Sequence, residues 1–377
     1  MLVFGVVFAI LGTVFGLPVM RSRLQISLAE QGNLFLLLYF GIFIASVVVG
    51  PLIDHLGNKV NLVTACAAVA LAMFLFGAAH SFATAGAAAV LLGVGGGGLN
   101  TCTNVLVSDL YVEQRGPMLN LLGIFFGIGA LSIPLAAASI EGHFTIPQLF
   151  LFCATLSGIC GLWYATVLFP AAKTKQAFAW TELLETTKYS GVLLLSFILF
   201  CESGNEASIA GWTSTYVGTQ GYSPRIATLV LATFWATLML SRLLAARILR
   251  TIGKSQFVTT LALLAVGGCL VLLSARSLTL FFIGTSLLGL AYGPIFPTAL
   301  AIAGDRYPQR MGTVFGLLFS IALIGGMTFP WAVGQVSERA GVRAGMFVPA
   351  LGAISILLMS IVISMRERSS NALPSTR

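Results

Sequence analysis

Glu202 and Glu206 stand four residues apart in an otherwise apolar run, with Asn205 beside them. At the period of an α-helix the three share one side. Two carboxylates held that close repel each other, and a proton or cation taken up between them relieves the repulsion. Glu202 and Glu206 are therefore a candidate coupling site. In the alternative, Glu206 accepts hydrogen bonds from ligand hydroxyls and Glu202 sits near outer water with no coupling role.

Asn100 and Asn104 repeat the spacing in another apolar run, and Asn120 lies near the start of the next. Amides both donate and accept, which suits a hydroxyl-rich ligand better than an ion; the plainer alternative is hydrogen bonding between helices. Trp235, Tyr292 and Phe296 fall well inside their runs and offer flat faces for a ligand ring. Trp212 and Tyr216 could do the same or belong to an interfacial aromatic belt. The candidate binding residues are thus Asn100, Asn104, Asn120, Asn205, Glu206, Trp235, Tyr292 and Phe296. No HExxH, no Ser/His/Asp set and no acidic metal cluster points to catalysis, so neither catalytic residues nor a cofactor are expected. The six cysteines lack CxxC or His-paired spacing, which indicates neither zinc nor a disulfide framework. Gly95 to Gly98 is not a nucleotide loop, because no Gly-Lys-Ser/Thr follows it.

Such groups must be held by elements that tolerate an apolar solvent. Of 377 residues 58% are hydrophobic and 8% charged, far too few charges for a water-exposed surface. Backbone groups in hydrocarbon must bond within their own segment or in a closed barrel. Apolar runs of about 20 residues, rather than the roughly ten alternating residues of a barrel strand, select helices. Twelve transmembrane helices are predicted: Leu2–Met20, Leu34–Ile53, Val60–Ala79, Phe82–Val107, Met118–Ile140, Leu149–Phe169, Tyr189–Ala210, Ile226–Ala246, Phe257–Leu273, Leu278–Ala303, Gly312–Val336 and Gly345–Met365. No basic stretch precedes the first and no cleavage pattern follows it, so it is expected to stay as a span.

The net charge of +8 lies in short clusters between spans rather than on one face, which argues against nucleic acid. Placing the connection between the second and third spans in the cytoplasm leaves only Arg21, Arg23, Arg225, Arg276, Arg339 and Arg343 of the 20 Lys and Arg on the other side. Both termini are then cytoplasmic, in a cell (inner) membrane protein. Sliding the chain by about 195 residues brings Gly57 and Lys59 onto Gly253 and Lys254, Asp109 onto Asp305, Arg115 onto Arg310 and Pro134 onto Pro330. The expected organisation is two pseudo-symmetric six-helix bundles, 1–170 and 189–377, joined by a linker at 171–188.

Gly50-Pro51-Leu52-Ile53-Asp54-His55-Leu56-Gly57-Asn58-Lys59 resembles the loop signature of the major facilitator superfamily. Within it, Glu202-Ser203-Gly204-Asn205-Glu206, Gly293-Pro294-Ile295-Phe296-Pro297 and Gly312 to Pro330 are similar to the fucose permease-like sugar transporters. The resemblance implies alternating access and a latch on the inward gate by Asp54 and Lys59 with Arg115, with Arg242 and Lys254 as counterparts in the second half. It further implies a sugar or polyol substrate in a central cavity; uptake is expected, either facilitative or coupled to H+ or Na+. Asn100 and Val14 stand where the fucose permease has acids, so its proton pair does not carry over. Export of hydrophobic drugs or metabolites and a non-transporting sensor are the rival expectations.

Overall fold

The computed structural model describes residues 1–111, 113–139, 145–170 and 189–372, and among these every regular element is a helix. The expected linker, 171–188, lies outside the described residues.

The first span is broken. Helix α1 (Leu2–Phe15) gives way at Gly16 and Leu17 to α2 (Pro18–Leu24), and the two are bent by 84°. Pro18 explains the break. Its ring excludes helical backbone at Leu17, which is extended at φ −89°, ψ 116°.

Helix α3 (Leu28–Ala78) carries 51 residues. At 1.5 Å per residue it would be about 77 Å long, more than twice the hydrocarbon thickness. It is in fact the second and third spans, divided at Gly57, where the backbone leaves the helix at φ 76°, ψ 168°. That region favours glycine. The Asn61 amide donates to the Gly57 carbonyl at 2.8 Å and steadies the turn.

The remaining helices are α4 (Phe82–Leu110), α5 (Arg115–Ser139), α6 (Ile146–Thr166), α7 (Ser190–Thr219), α8 (Pro224–Ile248), α9 (Lys254–Ser274), α10 (Leu278–Arg306), α11 (Met311–Ala340), the short α12 (Val342–Gly345) and α13 (Phe347–Ala372). With the bent pair taken as one span and α3 as two, the described residues hold the twelve apolar spans expected.

The helices form two compact units. The first takes the described residues up to 170 together with Ala210–Trp235 and Pro330–Gly345; the second takes 189–209, Ala236–Phe329 and 346–372. In the first, the glycine run of α4 is a packing hub. A Cβ at Gly97 would overlap Ile42 and Ala45 of the first arm of α3, one at Gly95 would overlap Ala65 and Val69 of the second arm, and one at Gly96 would press on Val7 of α1. The run exists so that helices can cross there at close range. In the second unit α9 packs on α10 and α13. Lys254 at the start of α9 pairs with Asp305 at the end of α10. The spacing of Gly312 and Gly316 suggests a similar seam on α11, but among the described residues no atom lies within 4 Å of a Cβ at either. The close approach falls instead at Gly325, where a Cβ would meet the Phe200 carbonyl.

Gly57 and Gly50 both face open space, so replacing them isolates the backbone contribution. Gly57→Ala should destabilise by about 1–2 kcal/mol, whereas Gly50→Ala, inside the helix, should be neutral or stabilising by up to about 1 kcal/mol. Thermal unfolding of both variants in detergent checks this; equal shifts would contradict the assignment of the break to Gly57.

Candidate functional site

In the second unit α7, α8 and α10 bring five of the expected residues together. Glu202, Asn205 and Glu206 are all buried. A Glu206 carboxylate oxygen lies 3.7 Å from an Arg242 guanidinium nitrogen. The Asn205 amide donates to the Tyr292 hydroxyl at 3.0 Å, and Asn205 Oδ1 faces Gly352 of α13. Arg242 Nε donates to the Gly293 carbonyl at 2.9 Å.

This last bond has a cause in the sequence. A helical carbonyl normally accepts from the N–H four residues on, and four residues after Gly293 stands Pro297, which has none. Inside a membrane that orphaned acceptor must find another donor, and Arg242 supplies it. One guanidinium therefore ties α8 to α7 through a carboxylate and to α10 through a backbone oxygen. The Gly-Pro-x-x-Pro spacing was the signal for a free carbonyl. Of the two expected gate counterparts in the second half, Arg242 makes this tie and Lys254 pairs with Asp305. Glu202 Oε1 is buried and finds no hydrogen-bond partner among the described residues. Phe296, one turn beyond Tyr292, packs its ring on Phe319 at 5.2 Å.

The other expected residues lie in the first unit. Asn104 donates to Asn100 twice within α4, to Oδ1 at 2.9 Å and to the carbonyl at 2.8 Å, so the two amides do share a face. Asn120 on α5 is exposed. Trp235 is fully buried against Phe8, Phe126 and Phe234, with ring centroids 6.0, 5.9 and 5.2 Å away, and its indole N–H has no acceptor among the described residues. Phe8, which sequence reasoning missed, is the one residue from Val3 to Gly16 that is not buried. Asp54 and Lys59 flank the Gly57 break; neither forms an ion pair among the described residues. The side chain of Arg115, their expected partner, lies outside the described residues.

A second polar group in the first unit also went unforeseen. Trp212 and Tyr216 do not sit in an interfacial belt. Both are fully buried, and the Trp212 indole donates to the Pro330 carbonyl at 3.0 Å. Gln31 donates to the Thr215 hydroxyl at 3.1 Å. Glu338, on α11, accepts from the amides of Leu28 at 2.8 Å and Ala29 at 3.3 Å. A helix leaves its first four N–H groups without internal partners. In α3 Ser27 and Glu30 form a capping box, and Glu338, more than 300 residues away, accepts two of those N–H groups.

A profile of the Major Facilitator Superfamily matches residues 1–330, and the chain belongs to that superfamily. It is 23% identical to "Bypass of stop codon protein 6" of Saccharomyces cerevisiae, over 92% of this chain and 76% of that protein. It is 24% identical to the glucose/mannose transporter GlcP of Bacillus subtilis, over 86% and 83%. Among solved structures, the nucleoside transporter NupG superposes with a TM-score of 0.79 at 15% identity, covering 97% of this chain and 96% of that one. The Escherichia coli fucose:proton symporter FucP does so with 0.63 at 18%, covering 96% and 97%. The fold is the major facilitator fold, and the protein is a multi-pass membrane transporter rather than an enzyme.

Arg242→Met should lower stability by about 3 kcal/mol, because it strands both a buried carboxylate and a carbonyl. Arg242→Lys, which keeps the charge and loses the Nε bond, should lower it by about 1 kcal/mol. Unfolding curves that put the two variants level would refute the assigned bond. At the other group, Glu338→Ala should weaken the start of α3 by about 1 kcal/mol. Hydrogen exchange should show faster exchange at the Leu28 and Ala29 amides, with Glu30, which donates to Ser27, much less affected.

Proposed function

We propose that the protein carries a sugar or similar polyol by alternating access, in the direction of uptake and coupled to H+ or Na+. The observation that carries this reading is the cluster of Glu202, Asn205, Glu206, Arg242 and Tyr292. A carboxylate beside a guanidinium offers acceptors and donors within a few ångströms of each other. Adjacent sugar hydroxyls, each able to donate and accept, match that arrangement, whereas a hydrophobic drug would leave it unpaired at a cost of about 1–3 kcal/mol per polar group. The uncharged pair Asn100 and Asn104, Asn120, and the rings of Trp235 and Phe296 complete the proposed binding set. That the Bacillus subtilis relative is a glucose/mannose transporter and the Escherichia coli structure a fucose:proton symporter supports the same reading.

Coupling is assigned to Glu202 and Glu206. A cation or proton arriving at the pair competes with Arg242 for Glu206, so loading and the tie between α7 and α8 become linked. Asp54, Lys59 and Arg115 are assigned to an inward gate, with Arg242 as the counterpart in the second half. The proposed organisation in sequence is two six-helix bundles, 1–170 and 189–377, with 171–188 as the linker. Both termini face the cytoplasm of a cell (inner) membrane protein by the excess of Lys and Arg on that side.

Counterflow of labelled hexoses into proteoliposomes tests the reading. Wild-type protein should accumulate at least one hexose transiently above protein-free vesicles, with a rate that depends on pH or on sodium. Glu206→Gln should exchange sugar with that dependence lost. Absence of counterflow for a full hexose panel, together with uptake of a hydrophobic cation, would overturn the sugar assignment.

A further inference from the structure

In the first unit, where α1 breaks into α2, a cavity of about 270 Å3 opens between that bend and the junction of α7 with α8. Phe15, Pro18, Arg21, Thr219, Tyr222 and Pro224 are among its lining residues. The transport reading leaves this cavity unused. Its size is near the lower end of the range for small-molecule sites.

The chemistry of the lining is specific. Among the described residues that line it Arg21 is the one that carries charge, and its Nε is buried with no hydrogen-bond partner among them. A guanidinium N–H that is cut off from water and unpaired is an unmet donor, and its natural complement is a carboxylate or phosphate, which it can grip with two parallel bonds. Glu338, whose charge acts on Arg21, accepts from Leu28 and Ala29 through one carboxylate oxygen and forms no ion pair with Arg21 among the described residues. The Thr219 hydroxyl donates to the Tyr216 carbonyl at 2.7 Å, so what it has left to offer is oxygen lone pairs. These suit an oxyanion that carries an O–H of its own. Pro224 begins α8, and the start of a helix adds partial positive charge on the same side.

We propose that this cavity binds a small oxyanion, the carboxylate or phosphate group of a hydroxylated solute or lipid headgroup, through Arg21. It is distinct from the cluster around Arg242 and does not depend on a sugar being the transported substrate. Its walls come from α1 and α2 on one side and from α7 and α8 on the other, so a bound anion holds these helices in the packing described here. By linkage it raises the stability of that arrangement.

The test is a thermal-shift and calorimetric titration of the full-length protein in nanodiscs, with sodium phosphate and sodium gluconate against sodium chloride at matched ionic strength. One or both oxyanions should raise the melting temperature. Arg21→Gln should weaken binding at least about tenfold, and Arg21→Lys by less. Arg225→Gln, at an exposed arginine outside the cavity lining, should leave the affinity unchanged. Should Arg21→Gln fail to fold, Gly218→Leu, which fills the cavity and keeps Arg21, should abolish binding. Nanodiscs with and without phosphatidylglycerol separate the two sources: a raised apparent Kd for phosphate with that lipid identifies a headgroup as occupant, and an unchanged value identifies a soluble anion. No oxyanion response in the wild type, or the same response in Arg21→Gln or Gly218→Leu, would overturn the proposal.

Discussion

Hydrocarbon provides no hydrogen-bond partner, and most of this structure follows from that. A backbone donor or acceptor facing lipid has to be paired within the protein, and every regular element among the described residues is a helix. At three such places another group is drawn in. Pro297 leaves the Gly293 carbonyl without its N–H, and Arg242 answers it. The first turn of α3 leaves N–H groups open, and Glu338 takes two of them while Ser27 and Glu30 serve the capping box. Gly57 turns the chain between two spans, and Asn61 closes over its carbonyl. The charged and amide residues are few, and many are spent on such repairs.

The same economy bears on how a transporter can change shape. In the first unit α3, α7 and α11 are held to one another by a small set of directional bonds: Trp212 to Pro330, Gln31 to Thr215, and Glu338 to the start of α3. Each is worth on the order of 1 kcal/mol net, more where charge is involved. Where glycines of α4 meet α3 the contact is close and apolar, and such a contact slides without breaking a directional bond. A few exchangeable hydrogen bonds over close, featureless contacts are compatible with rocking between arrangements of similar stability.

Polar groups in the second unit have a different character. Glu206, Arg242, Asn205 and Tyr292 form one connected set, and Glu202 stands beside it with an oxygen that has no hydrogen-bond partner among the described residues. Stability alone does not account for the set, since apolar residues of similar volume would serve at least as well as a buried ion pair. The proposed binding and coupling roles give a reason for keeping it.

The sequence determined the class and the spans by itself, because whether twenty consecutive residues can lie in lipid is a property of those residues alone. It also located the Gly57 turn, through a motif confined to ten positions, and the shared face of Glu202, Asn205 and Glu206, through the helical period. What it left undecided involves partners distant along the chain. The bend after Phe15 was within reach, since Pro18 marks it, but the apolar run masked the signal. Arg242 is 51 residues from the carbonyl it serves, Trp212 is 118 from Pro330, and Glu338 is 310 from Leu28. Spacing predicted a seam at Gly312 and Gly316 where the structure has open space, because a small-residue pair states only that a helix could approach. Which helix does so, and which donor reaches which stranded acceptor, is set by packing in three dimensions.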